Sequence, residues 1–140
     1  MFETMKKEEV DMKLIKLPDS ELYIMQTIWN TTTPVGTGKI VELINQSKDW
    51  SRSTIQVLLS RLEERGFIKM EKQGRLKYYS PIIKEEDYLS RETKSFLKHF
   101  YNNSYKKLIA SLVQDTKLSK EDYDELLAII KNAKESDSHA

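Results

Sequence analysis

The 140-residue chain has no cysteine. That excludes disulfides, thiolate metal sites and cysteine nucleophiles. It has two histidines, His99 and His139. Two histidines so far apart do not make a transition-metal site, and His99, with Glu85 and Glu92 on the same predicted helix, reads as a surface residue. Glycine is scarce, with four in all and none after Gly74, so a glycine-rich phosphate loop has no place here. No apolar run approaches the ~18 residues that a membrane span needs. Met1–Lys16 mixes four basic and four acidic residues without an apolar stretch, so no signal peptide and no membrane insertion are expected. A net charge of only +1 excludes an indiscriminate polycation, and any binding to nucleic acid must come from a local patch. With no Ser/His/Asp set and no paired carboxylates standing out, no catalysis, metal or cofactor is expected. What remains is a folded, polar chain, 39% hydrophobic and 32% charged, expected in the cytoplasm.

The local patch exists. Between Ser51 and Ser80 stand seven basic residues (Arg52, Arg61, Arg65, Lys69, Lys72, Arg75, Lys77) against three acidic ones (Glu63, Glu64, Glu71). Ser51 is a helix-capping residue type, and Gly66 is suited to the left-handed position after a helix end. Between them, Ile55, Leu58, Leu59 and Leu62 recur at helical spacing, which predicts an amphipathic helix over 52–65. Its other side carries Arg52, Ser53, Thr54, Gln56, Val57, Ser60 and Arg61. Phosphate contacts need Arg, Ser, Thr or helix-start amides, which the first turn offers. Base edges need groups of complementary reach: Gln56 suits adenine, Arg61 guanine, and Val57 a thymine methyl. A solvated face is the plainer reading of such residues on a lone helix. The segment that follows shifts the balance: residues 67–72 and 75–80 alternate around Gln73-Gly74, which predicts a β-hairpin carrying Lys72, Arg75 and Lys77. Tyr78-Tyr79 is expected to close that hairpin with one ring in the core, and Trp29 and Trp50 are expected to be core residues.

Upstream, Leu17-Pro18-Asp19-Ser20 opens a helix predicted over 19–30, capped by Asp19 or Ser20, and a second helix runs from about Gly36 to Ser47. Three helices followed by a hairpin is the order of a winged helix-turn-helix. Residues 1–16 read as a flexible arm and 17–82 as the winged-helix domain. The composition then shifts, with no glycine or proline from 84 to 140. Helices are predicted over 85–101, 104–114 and from Ser119 onward, Asn102-Asn103 breaking the first and Ser119 with Asp122 starting the last as a capping box. Glu85, Glu86 and Asp87 complement the dipole of a helix start. Residues 83–135 read as a helical domain and 136–140 as a disordered tail. Three short helices cannot bury large apolar faces alone. Leu97, Phe100, Tyr105, Leu108, Ile109, Leu112, Tyr123, Leu126, Leu127 and Ile130 are therefore expected either to pack back on the first domain or to form a dimer interface. A dimer fits reading two half-sites of DNA. The fold class is mainly α, a winged helix-turn-helix joined to three further helices.

The stretch from Leu17 to Leu127 resembles the penicillinase-repressor family of the BlaI/MecI type, with the CopY copper repressors as relatives. The residues that carry the resemblance are Ser20-Glu21-Leu22 with Met25 and Ile28-Trp29, Asp49-Trp50-Ser51, Thr54, Leu58-Leu59, Arg61-Leu62, Gly66, Gly74-Arg75 and Tyr78-Tyr79. Ser95-Phe96-Leu97 and Leu118-Ser119 with Leu126 follow in register. The resemblance implies a homodimeric repressor on double-stranded, palindromic operator DNA, often with TACA/TGTA half-sites. It also implies control of a β-lactam-resistance operon, with inactivation by cleavage downstream of a membrane sensor protease. The family's cleaved Asn-Phe bond aligns here with Ser104-Tyr105. Ser53 and Gln56 stand where relatives often carry basic residues, so a sequence preference different from theirs is expected. The copper branch's cysteine cluster is missing, which excludes thiolate copper sensing. Two other readings stay open: an effector-binding regulator of another operon, and a winged-helix protein-interaction module that never touches DNA.

Overall fold

A computed structural model describes residues 16–138, with side chains described through 136. Apart from Lys16, the N-terminal arm lies outside the described residues, as do positions 139 and 140. In order, the elements are α1 (Asp19–Trp29), β1 (Val35–Gly36), α2 (Thr37–Ile44), α3 (Arg52–Glu64), β2 (Ile68–Gln73), β3 (Leu76–Pro81), α4 (Glu85–Tyr101), α5 (Tyr105–Asp115) and α6 (Lys120–Ser138). The strands form one antiparallel sheet in the order β1-β3-β2. Helix-turn-helix followed by a paired hairpin is the winged-helix arrangement expected from the sequence.

The described residues divide into two compact units, one ending at Thr93 and the other beginning at Lys94. The division falls inside α4, not between 82 and 83 where the composition shifts. The reason is Tyr88. Its ring is buried in the first unit, edge-on to Phe67 at 5.9 Å between centroids and tilted against Trp29 at 5.8 Å. Its hydroxyl accepts from the Leu17 amide at 2.9 Å. The first turns of α4 thus complete the N-terminal core.

That core collects the apolar stripes. Ile24, Met25 and Ile28 of α1, Ile40 and Ile44 of α2, and Ile55, Leu59 and Leu62 of α3 are all inaccessible to solvent. Phe67, just before β2, and Ile68 and Tyr79 of the sheet close it. Tyr79 is the buried member of the tyrosine pair, while Tyr78 is half-buried. Trp29 and Trp50 pack at the core's margin, half-buried, and the Trp29 indole donates to the Ile83 carbonyl at 2.9 Å.

Among the described residues, one charged side chain is inside. Glu21 is 1% exposed, and its Oε1 accepts from Arg65 Nε at 2.8 Å. Among the described residues no buried side-chain polar atom lacks a partner. The Glu21–Arg65 pair ties α1 to the end of α3.

Local details depart from the sequence reading at four places. Neither Asp19 nor Ser20 caps α1. Pro18 is the cap residue, and its carbonyl receives the Leu22 amide at 2.9 Å, because both polar residues are already helical. Helix α2 stops at Ile44, where Asn45 leaves the helix and its side chain accepts from the Trp50 amide. The hairpin turn is Gly74-Arg75, one residue later than expected, since Gln73 pairs with Leu76. Gly74 takes φ +65°, at the first central position of the turn, where glycine pays no steric cost. Finally, α6 continues to Ser138, into the 136–140 segment expected as a disordered tail.

The second unit follows the predicted breaks. Asn102 and Asn103 both take left-handed φ, 50° and 64°, and the Asn103 amide turns back to the Leu97 carbonyl. Ser104 caps α5 by accepting from the Lys107 amide. Ser119 and Asp122 exchange hydrogen bonds, each side chain accepting the other's amide at 3.1 Å, so the short aspartate suffices for a capping box.

Candidate nucleic-acid interface

Helix α3 is held at both ends. Ser51 accepts from the Thr54 amide at 3.1 Å, which fixes the first turn. Gly66, at φ +81°, takes the chain away after Arg65. In front of the cap, the turn from α2 is clamped by aromatic and polar contacts. Trp50 stands edge-on to Tyr23 at 5.5 Å, Lys48 lies over the Tyr23 ring, and the Tyr23 hydroxyl bonds Ser47. With its leucine stripe buried, α3 can present only one side to a ligand.

That side lines an open groove of about 580 Å3 between α3 and β3. Ser53, Gln56, Val57, Ser60 and Arg61 from the helix and Lys77 from the hairpin all line it. Val57 is half exposed there, an apolar contact in an otherwise polar row. Arg52 and Thr54 are exposed at the helix start but do not line the groove. The Thr54 hydroxyl is engaged with Ser51, which leaves Arg52 as the freer polar side chain of the first turn.

The wing shows a charge arrangement that packing does not explain. Lys72 and Lys77 are direct partners across the β2–β3 ladder. Cross-strand partners share a face, and like charges placed opposite one another destabilise a hairpin. Arg75 sits in the turn between them, and Leu76 beside it is exposed. Arg52, Arg61, Lys72, Arg75 and Lys77 make no ion pair with any described residue. Five uncompensated cations around one helix and one hairpin are the complement of a polyanion.

Two cations of the patch do other work. Arg65 is committed to Glu21, and Lys69 pairs with Glu71 at 3.3 Å. Two groove residues escaped the sequence reading, Glu64 and Tyr79. Glu64 lies three residues beyond Arg61 on the same helical face, so spacing marks it, while its negative charge hides it from a search for phosphate ligands. Tyr79 is buried, and burial is the main cause holding its hydroxyl above the usual phenol pKa, with Thr37 hydrogen bonding working against that shift and Glu63 adding to it. It forms a wall of the groove rather than a stacking platform.

The sequence matches the family model described as penicillinase repressor over residues 17–132. It is 32% identical to the penicillinase repressor of Bacillus licheniformis over 87% of this chain and 94% of that one. The chain belongs to the penicillinase repressor family. That family consists of DNA-binding transcriptional repressors, not enzymes. The methicillin resistance regulatory protein MecI of Staphylococcus aureus strain N315 is 29% identical over 86% of this chain and 98% of its own. Among solved structures, the solution structure of the DNA binding domain of the repressor BlaI is similar. It has 33% identity, covers 51% of this chain and 87% of that one, and has a TM-score of 0.47.

In the second unit, eight of the ten residues expected at an interface are exposed: Phe100, Tyr105, Ile109, Leu112, Tyr123, Leu126, Leu127 and Ile130. Leu97 and Leu108 are half-buried. Phe96 and Ile129 are exposed apolar residues that the sequence reading did not name for this role. Ser104, half-buried, and Tyr105, exposed, form the junction at which α5 begins. Among the described residues no cluster of three potential metal ligands occurs, and no helix is long and apolar enough to cross a membrane.

Proposed function

We propose that this chain is a homodimeric transcriptional repressor that holds a palindromic operator of a β-lactam-resistance operon. The observation that carries the DNA-binding part is the unpaired Lys72–Lys77 couple beside the α3 groove. An anion between the two lysines removes their repulsion, and duplex phosphates supply anions at the required density. Helix α3 lies in the major groove, with Arg52 and the first turn at the backbone and Gln56, Val57 and Arg61 on base edges. The wing holds flanking phosphates through Lys72, Arg75 and Lys77.

The dimer is supported by the second unit. Monomeric proteins rarely expose as many large apolar side chains as α5 and α6 carry. A second copy burying Tyr105, Ile109, Leu112, Leu126, Leu127 and Ile130 removes that liability and places two reading helices on one duplex. The related repressors of Bacillus and Staphylococcus support the kind of operon. Induction follows from cleavage at Ser104-Tyr105, in a pathway begun by a membrane sensor protease, because separating α5 and α6 from the rest removes the dimer contacts. The protein works in the cytoplasm, where its operator is.

The test pairs two measurements on the full chain. Sedimentation gives the mass in solution, with a dimer expected. Titration of the chain's own upstream region at several salt concentrations gives binding whose logarithm falls linearly with log salt. A monomer that binds no duplex in a salt-dependent manner refutes the proposal.

A further inference from the structure

Glu64 is the one carboxylate lining the α3 groove, and it makes no ion pair there with Arg61, Lys77 or any other described residue. It stands in the last turn of α3, where a negative charge opposes the helix dipole, so helix stability does not account for it. A carboxylate facing DNA is also repelled by every phosphate. It is useful only against a hydrogen-bond donor.

The major groove offers two kinds of donor, the exocyclic amines of cytosine and adenine. Adenine places the N7 acceptor beside its amine, which suits an amide such as Gln56 and repels a carboxylate. Cytosine shows the amine alone. Arg61, at i−3 from Glu64, is a neighbour on the helix surface and suits the O6 and N7 acceptors of guanine. Resting on the reading of this groove as the DNA interface, we propose that Glu64 is a specificity-determining residue. Its carboxylate accepts a hydrogen bond from a cytosine amine in, or next to, the G·C pair that Arg61 reads. The row Gln56, Arg61 and Glu64 then assigns adenine, guanine and cytosine to three side chains of matching donor and acceptor pattern.

The experiment is selection from a randomised duplex library with the full-length wild type, Glu64→Gln and Glu64→Ala, followed by competition titrations of the selected duplexes. Glu64 is exposed, and removing its charge relieves the helix dipole, so both variants melt at or slightly above the wild-type temperature. Wild type is expected to select cytosine at one position of each half-site and to lose roughly tenfold or more in affinity when it is replaced. Glu64→Gln is expected to select adenine at that position, and Glu64→Ala to accept any base there, while both bind non-specific duplex more tightly. If all three proteins select the same sequence and the variants gain affinity uniformly, Glu64 is only a repulsive charge and the inference is wrong. If the wild type enriches no sequence at all, the reading of the groove itself fails, and the inference falls with it.

Discussion

Removing the Arg65 guanidinium strands the Glu21 carboxylate. Glu21 is 1% exposed, and its bond to Arg65 at 2.8 Å is the ion pair that holds it. Breaking one side of a buried pair costs about 3–5 kcal/mol, because an uncompensated charge stays inside. Here the Arg65 side chain is 32% exposed, so water enters the space it leaves and solvates part of the carboxylate. The expected loss for Arg65→Ala is therefore about 2–3 kcal/mol. For a cooperative unit of this size, that corresponds to roughly 10–20 °C in Tm. Urea unfolding followed by tryptophan fluorescence measures it directly, since Trp29 and Trp50 border the same core. Arg65→Lys keeps the charge and loses the planar fork, so it falls between wild type and Arg65→Ala. The decisive arm is the double variant Glu21→Met with Arg65→Ala. If the loss comes from a stranded charge, replacing that charge with an apolar group of similar volume recovers stability over Arg65→Ala alone. A double variant less stable than Arg65→Ala refutes the reasoning. It would mean that the pair contributes by attraction and not by avoiding an orphan.

Ser51→Ala removes the α3 cap and should cost about 1 kcal/mol in chemical unfolding, with weaker operator binding from a frayed first turn. Tyr79 and Tyr88 both have pKa values raised above 10, mainly by burial, so the folded state holds their protons more tightly than the unfolded chain. Their stabilising contribution is complete below pH 10 and is lost as the pH rises through the folded values; Tyr88→Phe should flatten the alkaline limb of a pH–stability curve. Arg61→Ala should cost about 1–3 kcal/mol of operator binding and relax preference at one base position, whereas Lys77→Ala should weaken all duplexes alike and reduce the salt slope by about one. Leu127→Asp, at an exposed position of α6, should leave the melting of the first unit unchanged and yield a monomer by sedimentation; a dimer of undiminished affinity would place the interface elsewhere.

The sequence by itself determined the local structure. Ser51 and Gly66 delimit α3, the two asparagines end α4, Ser119 with Asp122 starts α6, and the leucine stripe chooses the buried side of α3. These are short-range rules of capping, backbone sterics and helical period, and they leave the same marks in any chain. The exposed residues proposed to read DNA follow for the same reason, being what the stripe leaves over. The one-residue shift of the hairpin turn shows the limit. Gly74 marks the turn, but strand register settled which neighbour shares it.

Only the tertiary structure decided which charges are free. Arg65 and Arg61 look alike in the sequence, four residues apart on one helix end. The fold sends one to Glu21, forty-four positions away, and leaves the other in the groove. It placed Lys77 opposite Lys72 and brought it to the groove that Glu64 lines, and it moved the boundary of the first unit into α4 through Tyr88. Each of these depends on which side chains meet across long sequence separations. Charge is then redistributed by partners that no local pattern names, and the surface proposed to meet DNA is smaller and more mixed in sign than the basic count suggested.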